Sequence, residues 1–188
     1  MKKKLKYFIR NTSKFILGKS NYIKLRFLLT HGYWGNFKKP LSWNEKIQFR
    51  KLYCDPKIFA DLVDKYHVRE YVSKTIGGEY LIPLIAKVDG LVPQVFDKLP
   101  NEFVLKTSHG GGGENVKVVS NKQDLNIENT CAVFNSYLNK RLGKYVDELF
   151  YDINTPSVIV EERIKNKDLS TLLDYKFHVF KGTKETKV

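Results

Sequence analysis

The residues with the clearest potential for chemistry lie in the run EFVLKTSHGGGGENVKVVS, between residues 102 and 120. A β-rich stretch ends in Lys106, four glycines follow at residues 110–113, and a second β-rich stretch begins at Val116. Because glycine has no Cβ atom, its N–H groups can approach a phosphate closely and form an anion-binding concavity. Lys106 adds a positive charge beside that concavity. The run therefore predicts a strand–loop–strand flap that closes over the phosphates of a nucleoside triphosphate.

Two familiar glycine-rich motifs do not fit this run. A P-loop requires Gly-Lys followed by Ser or Thr, and no such residues follow the glycines here. A dinucleotide-binding fingerprint requires a strand, then glycines, then a helix, whereas β-rich stretches lie on both sides of these glycines. The alternative interpretation is a plain hairpin turn, although such turns generally contain only one or two glycines.

Three further polar groups could take part in binding, and each has a structural alternative. Asp64 and Lys65 lie within a predicted helix, where they could simply belong to its solvated face. Glu161 and Glu162 end an apolar strand, and they could bind the amino group of a purine or form a surface ion pair. A later strand carries polar residues on one face that could bind phosphate or face solvent: Asp174, Lys176 and His178.

The helices that position these groups follow from capping signals and hydrophobic spacing. Ser42 and Glu45 have the spacing of a capping box and predict a helix to residue 53. Asp55 followed by Pro56 predicts a second helix, to residue 73. Its predicted buried stripe consists of Ile58, Phe59, Leu62, Val63 and Tyr66. A third helix is predicted over residues 127–142, with a core face formed by Val133, Phe134, Tyr137, Leu138 and Leu142.

Strands are predicted over residues 81–88, 103–107, 116–119, 157–164 and 173–180. Together with the helices, they indicate an α+β fold with mostly antiparallel strands and flanking helices.

The positive charge of the chain is concentrated at its N-terminus. The 188 residues carry a formal net charge of +13, and residues 1–51 contain 14 lysines and arginines against one acidic residue, Glu45. Such a segment could bind nucleic acid, an anionic membrane surface or an acidic protein, or it could be an ordinary solvated helix. Aromatic and aliphatic residues lie among the lysines, which favours the membrane surface.

The sequence also limits where the protein functions. No apolar run reaches the roughly 20 residues that a membrane-spanning helix needs, and none forms a signal peptide. Cys54 and Cys131 form neither a metal-binding pattern nor a disulfide framework. A cytoplasmic, reducing location is therefore expected, with the N-terminal segment on the inner face of the membrane.

Taken in chain order, these groups resemble the ATP-grasp superfamily. The similarity begins with Asp64-Lys65, Gly77-Gly78 and Pro83, continues with the lysine-ended strand and glycine flap, and ends with the adenine-hinge strand over residues 158–162. The runs PLSWNEKIQ, KTSHGGGG and DYKF most resemble the teichuronopeptide-biosynthesis (TupA-like) branch. That branch is linked to bacterial cell-surface and capsular polysaccharides, and its members often accompany glycosyltransferases. The resemblance covers residues 38–182, between a basic segment at 1–37 and a polar tail at 183–188.

The resemblance implies ATP-dependent ligase or transferase chemistry, in which a carboxylate becomes an acyl phosphate and then reacts with a sugar or amino-acid acceptor. Lys65, Lys106 and the flap would contact the ATP phosphates, and Glu161 with Glu162 would lie at the adenine. No catalytic residue is assigned. The implied cofactor-binding residues are Lys65, Lys106, Ser108, His109, Gly110, Gly111, Gly112, Gly113, Glu161, Glu162 and Lys176.

The family's magnesium ion is the point where the resemblance stops. Its ligands lie on strands after the matched region, and residues 181–188 form a polar run without a strand pattern. The sequence therefore predicts a partial domain that lacks its C-terminal strands and metal ligands, with little or no ATP turnover. The competing hypothesis is a non-catalytic module that binds a membrane surface, polysaccharide-assembly proteins or, less favoured, nucleic acid through the basic N-terminus.

Overall fold

The computed structural model describes residues 2–111, 113, 115–166, 172, 173, 175, 177, 180, 181, 186 and 187. The helices of this part of the chain are α1 (Lys2–His31), α2 (Trp43–Tyr53), α3 (Lys57–Val63), α4 (Val68–Thr75), α5 (Ile127–Leu138) and α6 (Leu142–Val146). Its strands are β1 (Leu84–Val88), β2 (Phe103–Thr107), β3 (Val116–Val119), β4 (Val158–Glu161), β5 (Phe180–Lys181) and β6 (Thr186–Lys187). The predicted α+β fold is confirmed.

The first four strands form one antiparallel sheet in the order β1-β4-β2-β3. Alternation along β2 buries Phe103 and Leu105 on one face, where they join Val158 and Val160 of β4. Phe134 of α5 packs in the same core. The sheet therefore has a core face covered by α5 and an opposite face that carries the alternate residues of each strand.

Helix α2 begins with the predicted capping box. The Ser42 hydroxyl accepts the Glu45 N–H, and the Glu45 carboxylate accepts the N–H groups of Ser42, Leu41 and Asn36. These bonds, led by those from Ser42 and Asn36, lower the pKa of Glu45 to about 2. The carboxylate thus fastens the segment that enters α2 to the first turn of the helix.

The predicted helix to residue 73 is wrong in one respect, because the chain forms two helices there. The Asp64 carboxylate accepts the N–H groups of Tyr66 and His67 in the turn between α3 and α4, and such local bonds compete with a continuous helix. The predicted buried stripe changes accordingly: Ile58 and Leu62 are exposed, and Ala60 is buried. This break places Asp64 and Lys65 at the end of the sheet.

Two other predictions also change. The helix expected to reach residue 142 ends at Leu138, and α6 follows as a separate helix; Val133, expected in the core, is exposed. The polar C-terminal run was expected to contain no strand, but β6 pairs with β5 in an antiparallel hairpin. The predicted strand over residues 173–180 lies largely outside the described residues, as do Asp174, Lys176 and His178.

The N-terminal segment is the helix α1, which is kinked at Gly18 (φ 72°, ψ 155°). Beyond the kink, Ile23 and Phe27 pack against Phe37. Before it, Lys14 pairs with Asp147. Within the described residues, no helix combines the length and the apolar character that crossing a bilayer requires.

Candidate functional site

The candidate site lies on the face of the sheet opposite α5, here called the open face. It consists of Val104 and Lys106 of β2, Val116 and Val118 of β3, and Ile159 and Glu161 of β4, which share this face by their register. Val116 and Val118 are 38% and 57% exposed, although valines usually pack inside. An accessible apolar strip thus lies beside the Lys106 ammonium.

A cluster of charged side chains occupies one end of the open face. Lys106 Nζ donates to Glu161 Oε2 at 2.5 Å, and Arg69 Nη1 donates to Glu161 Oε1 at 3.0 Å. Arg69 Nη2 also donates to the Ile82 carbonyl at 2.7 Å, which holds the guanidinium in place. Glu161 is buried, whereas the side chain of Lys106 is 23% exposed. Two cations share one carboxylate, so the cluster has a net positive charge and its accessible member is Lys106.

Lys65 holds the base of the glycine-rich loop. Its Nζ donates to the carbonyls of Thr107 (3.2 Å), His109 (3.1 Å) and Gly110 (2.7 Å). Burial lowers the pKa of Lys65 below the ordinary lysine value, although the neighbouring Asp64 carboxylate opposes the shift. The predicted phosphate ligand therefore bonds to loop carbonyls in this structure.

Asp64 and Ser108 connect the helices to the sheet. Ser108 Oγ donates to Asp64 Oδ2 at 2.7 Å and accepts the Ser157 N–H at 3.1 Å. The Ser108 N–H donates to the Ser157 carbonyl at 2.7 Å. Burial alone would raise the pKa of Asp64, but hydrogen bonds from Ser108 and His67 outweigh it and hold that pKa below its usual value.

Residues Thr107, Ser108, His109 and Asn115, here called the loop anchor, flank the glycines in the sequence and are all buried. The His109 carbonyl accepts bonds from Thr107 Oγ1 at 2.9 Å and from Asn115 Nδ2 at 2.7 Å. Asn115 Nδ2 also donates to Thr107 Oγ1. Although the sequence places Ser108 and His109 in a flap over phosphates, the structure places them below its surface.

Gly110 and Gly113 have positive φ angles of 85° and 77°, which favour glycine. Gly111 is exposed, with nothing within 4 Å of the position a Cβ atom would take. Gly112 lies outside the described residues.

His109 carries a buried Nδ1 atom that has no hydrogen-bond partner among the described residues. Burial lowers the pKa of this imidazole, so the folded protein favours its neutral form. The unfolded chain takes up that proton near pH 6.5, and stability therefore falls as the pH drops below about 6.5.

We expect His109→Gln to weaken this pH dependence, because the substitution removes the group that protonates preferentially in the unfolded chain. Urea denaturation between pH 7.5 and 5 checks the prediction. His31→Gln, which replaces an exposed histidine, controls for the substitution itself. The prediction is contradicted if the unfolding free energy of His109→Gln depends on pH as steeply as that of the wild type.

Glu162 lies at the end of β4 with an exposed side chain. Its N–H donates to the Pro83 carbonyl at 3.0 Å and extends the pairing of β4 with β1. The backbone amide is therefore engaged within the sheet, and the side chain is the accessible part of this predicted adenine contact.

Arg69 and Asn115 are site residues that the sequence did not single out. Arg69 belongs to an ordinary amphipathic helix, and its pairing with Glu161 spans 92 positions of the chain. Asn115 had a usable signal, since an asparagine directly after a glycine run commonly bonds nearby backbone groups.

The acidic residues of this site do not fit a magnesium ion. Both Glu161 oxygens bond to cations, and the Asp64 oxygens bond to Ser108 and to backbone N–H groups. Among the described residues, no group of three or more His, Cys, Asp or Glu side chains could hold a metal.

A family model described as TupA-like ATPgrasp matches residues 45–188 of the chain. No curated protein and no solved structure gives a significant match. The matched range contains the open face, the loop anchor and the glycines, and it begins in α2.

Proposed function

Because the chain belongs to the TupA-like ATP-grasp family, we propose that it binds ATP on the open face of its sheet, beneath the glycine-rich loop. The observation that carries this proposal is the accessible Lys106 ammonium beside the exposed valines of β3. The apolar strip offers a surface for the adenine ring, and the positive cluster attracts the phosphates. The glycine-rich loop follows the strand of Lys106, and its N–H groups can donate to phosphate oxygens.

The charged cluster supports an exchange of partners when the triphosphate binds. Lys106 can turn from Glu161 to a phosphate oxygen, because Arg69 remains bonded to Glu161 and keeps that buried carboxylate paired. Lys65 sits directly below the loop and adds positive potential while holding the carbonyls in place. When ATP binds in this way, Glu161 stays paired with Arg69 and Lys106 is paired with a phosphate, so no charged group of the sheet is left without a partner.

The proposed reaction is that of an ATP-dependent ligase or transferase in bacterial cell-surface polysaccharide biosynthesis. A carboxylate oxygen attacks the γ-phosphorus and ADP leaves, which gives an acyl phosphate. A sugar or amino-acid acceptor then attacks the carbonyl carbon through an amine or hydroxyl group and releases phosphate. Lys106 lowers the repulsion between the two anions in the first step. Family membership supports this proposal, and no step is assigned to a metal.

We expect Lys106→Ala to weaken ATP binding by about tenfold or more, since a charge-assisted bond to phosphate is removed. The fold should persist, because Lys106 is partly exposed and Glu161 keeps Arg69. Isothermal titration calorimetry with ATP measures the effect. Lys74→Ala is the matched control, since it removes an equal charge from an exposed ion pair on α4. Equal affinities in both variants would refute the assignment.

We further propose that the first half of α1 binds an anionic membrane surface. Five apolar residues face solvent along one side of the helix before the kink, with exposed fractions between 55% and 90%: Leu5, Phe8, Ile9, Phe15 and Ile16. Arg10 and Lys14 contact the body of the protein from the other side. The apolar side can insert among the lipid chains, and the +13 charge of residues 1–51 is attracted to anionic lipid headgroups.

Substituting Phe8 and Phe15 together by serine should therefore abolish sedimentation with phosphatidylserine-containing vesicles, because the apolar insertion is lost. Leu41→Ser, at an equally exposed leucine outside α1, should leave it unchanged. Light scattering of the free protein tests the rival occupant, a second copy of the chain. A dimer that the double variant dissociates, with no vesicle binding by the wild type, would contradict the membrane proposal.

A further inference from the structure

A cavity of about 590 Å³ lies between α1, α2 and α6, on the side of α1 that faces the body. Both halves of α1 line it. Beyond the kink, Tyr22, Arg26 and Thr30 form one row at i, i+4 spacing, and Ile23 with Phe27 belongs to the neighbouring row. Before the kink, the lining residues include Tyr7 and Arg10. The volume falls within the roughly 300–1,000 Å³ of small-molecule sites.

The lining of this cavity is positively charged. Arg10, Arg26 and Lys51 line it, and the carboxylate among its lining residues is Asp147, which is already paired with Lys14. Lys51 pairs with Glu148 outside the lining, and its Nζ also donates to the Val146 carbonyl. The two arginines therefore dominate the charge that faces the cavity.

Both arginines have hydrogen-bonding capacity left for a ligand. The Arg26 carbonyl accepts the Thr30 hydroxyl, but its guanidinium makes no hydrogen bond or ion pair within the described part of the chain. Arg10 donates through its Nη atoms to the carbonyls of Tyr145 and Lys144, but its buried Nε has no partner there. A buried donor without an acceptor is costly, and a ligand oxygen would satisfy it.

Aromatic rings fix the orientation of Arg10. The rings of Tyr7 and Tyr145 stack with centroids 6.1 Å apart and an interplanar angle of 9°. The Arg10 guanidinium lies 4.8 Å from the first ring centroid and 4.9 Å from the second. A guanidinium held in this way binds an oxyanion with little further loss of conformational freedom.

We propose that this cavity binds a small organic anion through a phosphate or carboxylate group, with Arg26 and Arg10 as its ligands. The volume of the cavity suits a small molecule, and the shared chemistry of the two groups is an oxyanion that accepts forked guanidinium bonds. The site is separate from the open face, since none of its lining residues belongs to the sheet or the loop anchor.

The Gly18 kink supplies the shape of the cavity. Its φ of 72° and ψ of 155° lie in a region that only glycine populates readily, so another residue there strains the backbone. A Cβ atom at Gly18 would contact nothing within 4 Å, so the cost of Gly18→Ala is conformational alone. A straighter α1 would no longer bring Arg10 and Arg26 to one cavity, and Gly18→Ala should weaken anion binding.

The test is calorimetry of the full chain with two probes, pyrophosphate and citrate. All titrations use the Lys106→Ala background, which weakens phosphate binding at the open face. The comparison of Arg26→Ala with a matched control then reports on the cavity, whether or not the proposed ATP site exists. Arg26→Ala should weaken binding of the preferred probe by about tenfold or more. Lys24→Ala is the matched control, because Lys24 is exposed on the same helix half and does not line the cavity.

Tighter binding of pyrophosphate assigns the site to phosphates, and tighter binding of citrate assigns it to carboxylates. Absence of saturable binding by both probes would overturn the proposal. Equal losses in Arg26→Ala and Lys24→Ala would also overturn it, since they indicate diffuse attraction to the basic helix rather than a site.

Discussion

Replacing Asp64 by alanine is expected to lower the free energy of unfolding by about 2–4 kcal/mol. The carboxylate accepts the N–H groups of Tyr66 and His67 at 2.9 and 3.0 Å and the Ser108 hydroxyl at 2.7 Å. Alanine leaves the buried Ser108 hydroxyl and the two backbone N–H groups without this acceptor. The loss affects the turn into α4 and the link from the helices to β4 together. Urea denaturation at pH 7 measures it.

Two variants separate the contribution of Asp64 from the effect of any substitution. Asp64→Asn retains an acceptor for the backbone N–H groups and should cost less than Asp64→Ala. Asp61→Ala removes an exposed carboxylate on α3 together with its hydrogen bond from Asn154 Nδ2, and it should cost no more than about 1 kcal/mol. If Asp64→Ala costs no more than Asp61→Ala, the network is not what joins the helices to the sheet.

The pH dependence of stability tests the same carboxylate in a second way. The pKa of Asp64 is lowered in the folded protein, so its stabilising effect is present above the ordinary aspartate value of 3.8 and is lost as the pH falls below it. Asp64→Asn, which cannot ionise, should lack that component of the acid-induced loss.

The elements that the sequence predicted best are those fixed by local signals. Strands β2 and β3 match their predicted bounds, because four consecutive glycines, which disfavour both helix and strand, separate the two β-rich runs. Helix α2 matches because Ser42 and Glu45 form the capping box that their spacing indicates. In each case the deciding interaction lies within a few residues.

The missed features depend on residues that are far apart in the chain. The break between α3 and α4 places Asp64 against Ser108, 44 positions away, and hydrophobic spacing alone could not reveal that partner. The burial of Ser108 and His109 likewise depends on contacts with Asp64, Lys65 and Ser157. Sequence reasoning found Asp64, Lys65, Lys106 and Glu161, missed Arg69 and Asn115, and could not show which of these residues bind one another.

The resulting site divides into a fixed part and an accessible part. Lys65 and the loop anchor are bonded to each other and hold the base of the glycine-rich loop. Lys106, Gly111 and the valines of β3 remain accessible to solvent and to a ligand. Substitutions in the fixed part should therefore change stability, and substitutions in the accessible part should change ligand binding.

Two neighbouring glycines provide the sharpest test of this division. Gly110→Ala is expected to lower the free energy of unfolding by about 2–4 kcal/mol, because its φ of +85° is strained for alanine. The new Cβ atom would also lie 2.8 Å from Asn115 Nδ2, an atom already bonded to the His109 carbonyl. Gly111→Ala meets no atom within 4 Å and should change stability by no more than about 0.5 kcal/mol. Denaturation of the two variants in parallel measures the difference.

Gly111→Ala also tests whether the loop contacts phosphates. A methyl group at this exposed position lies where a closely approaching phosphate would be, so ATP affinity should fall by about tenfold while the unfolding free energy stays at the wild-type value. Calorimetry with ATP measures the first quantity, and the denaturation curve measures the second. If Gly111→Ala binds ATP as tightly as the wild type, the glycines serve only the turn between β2 and β3. In that case the phosphates would depend on Lys106 and its cluster alone.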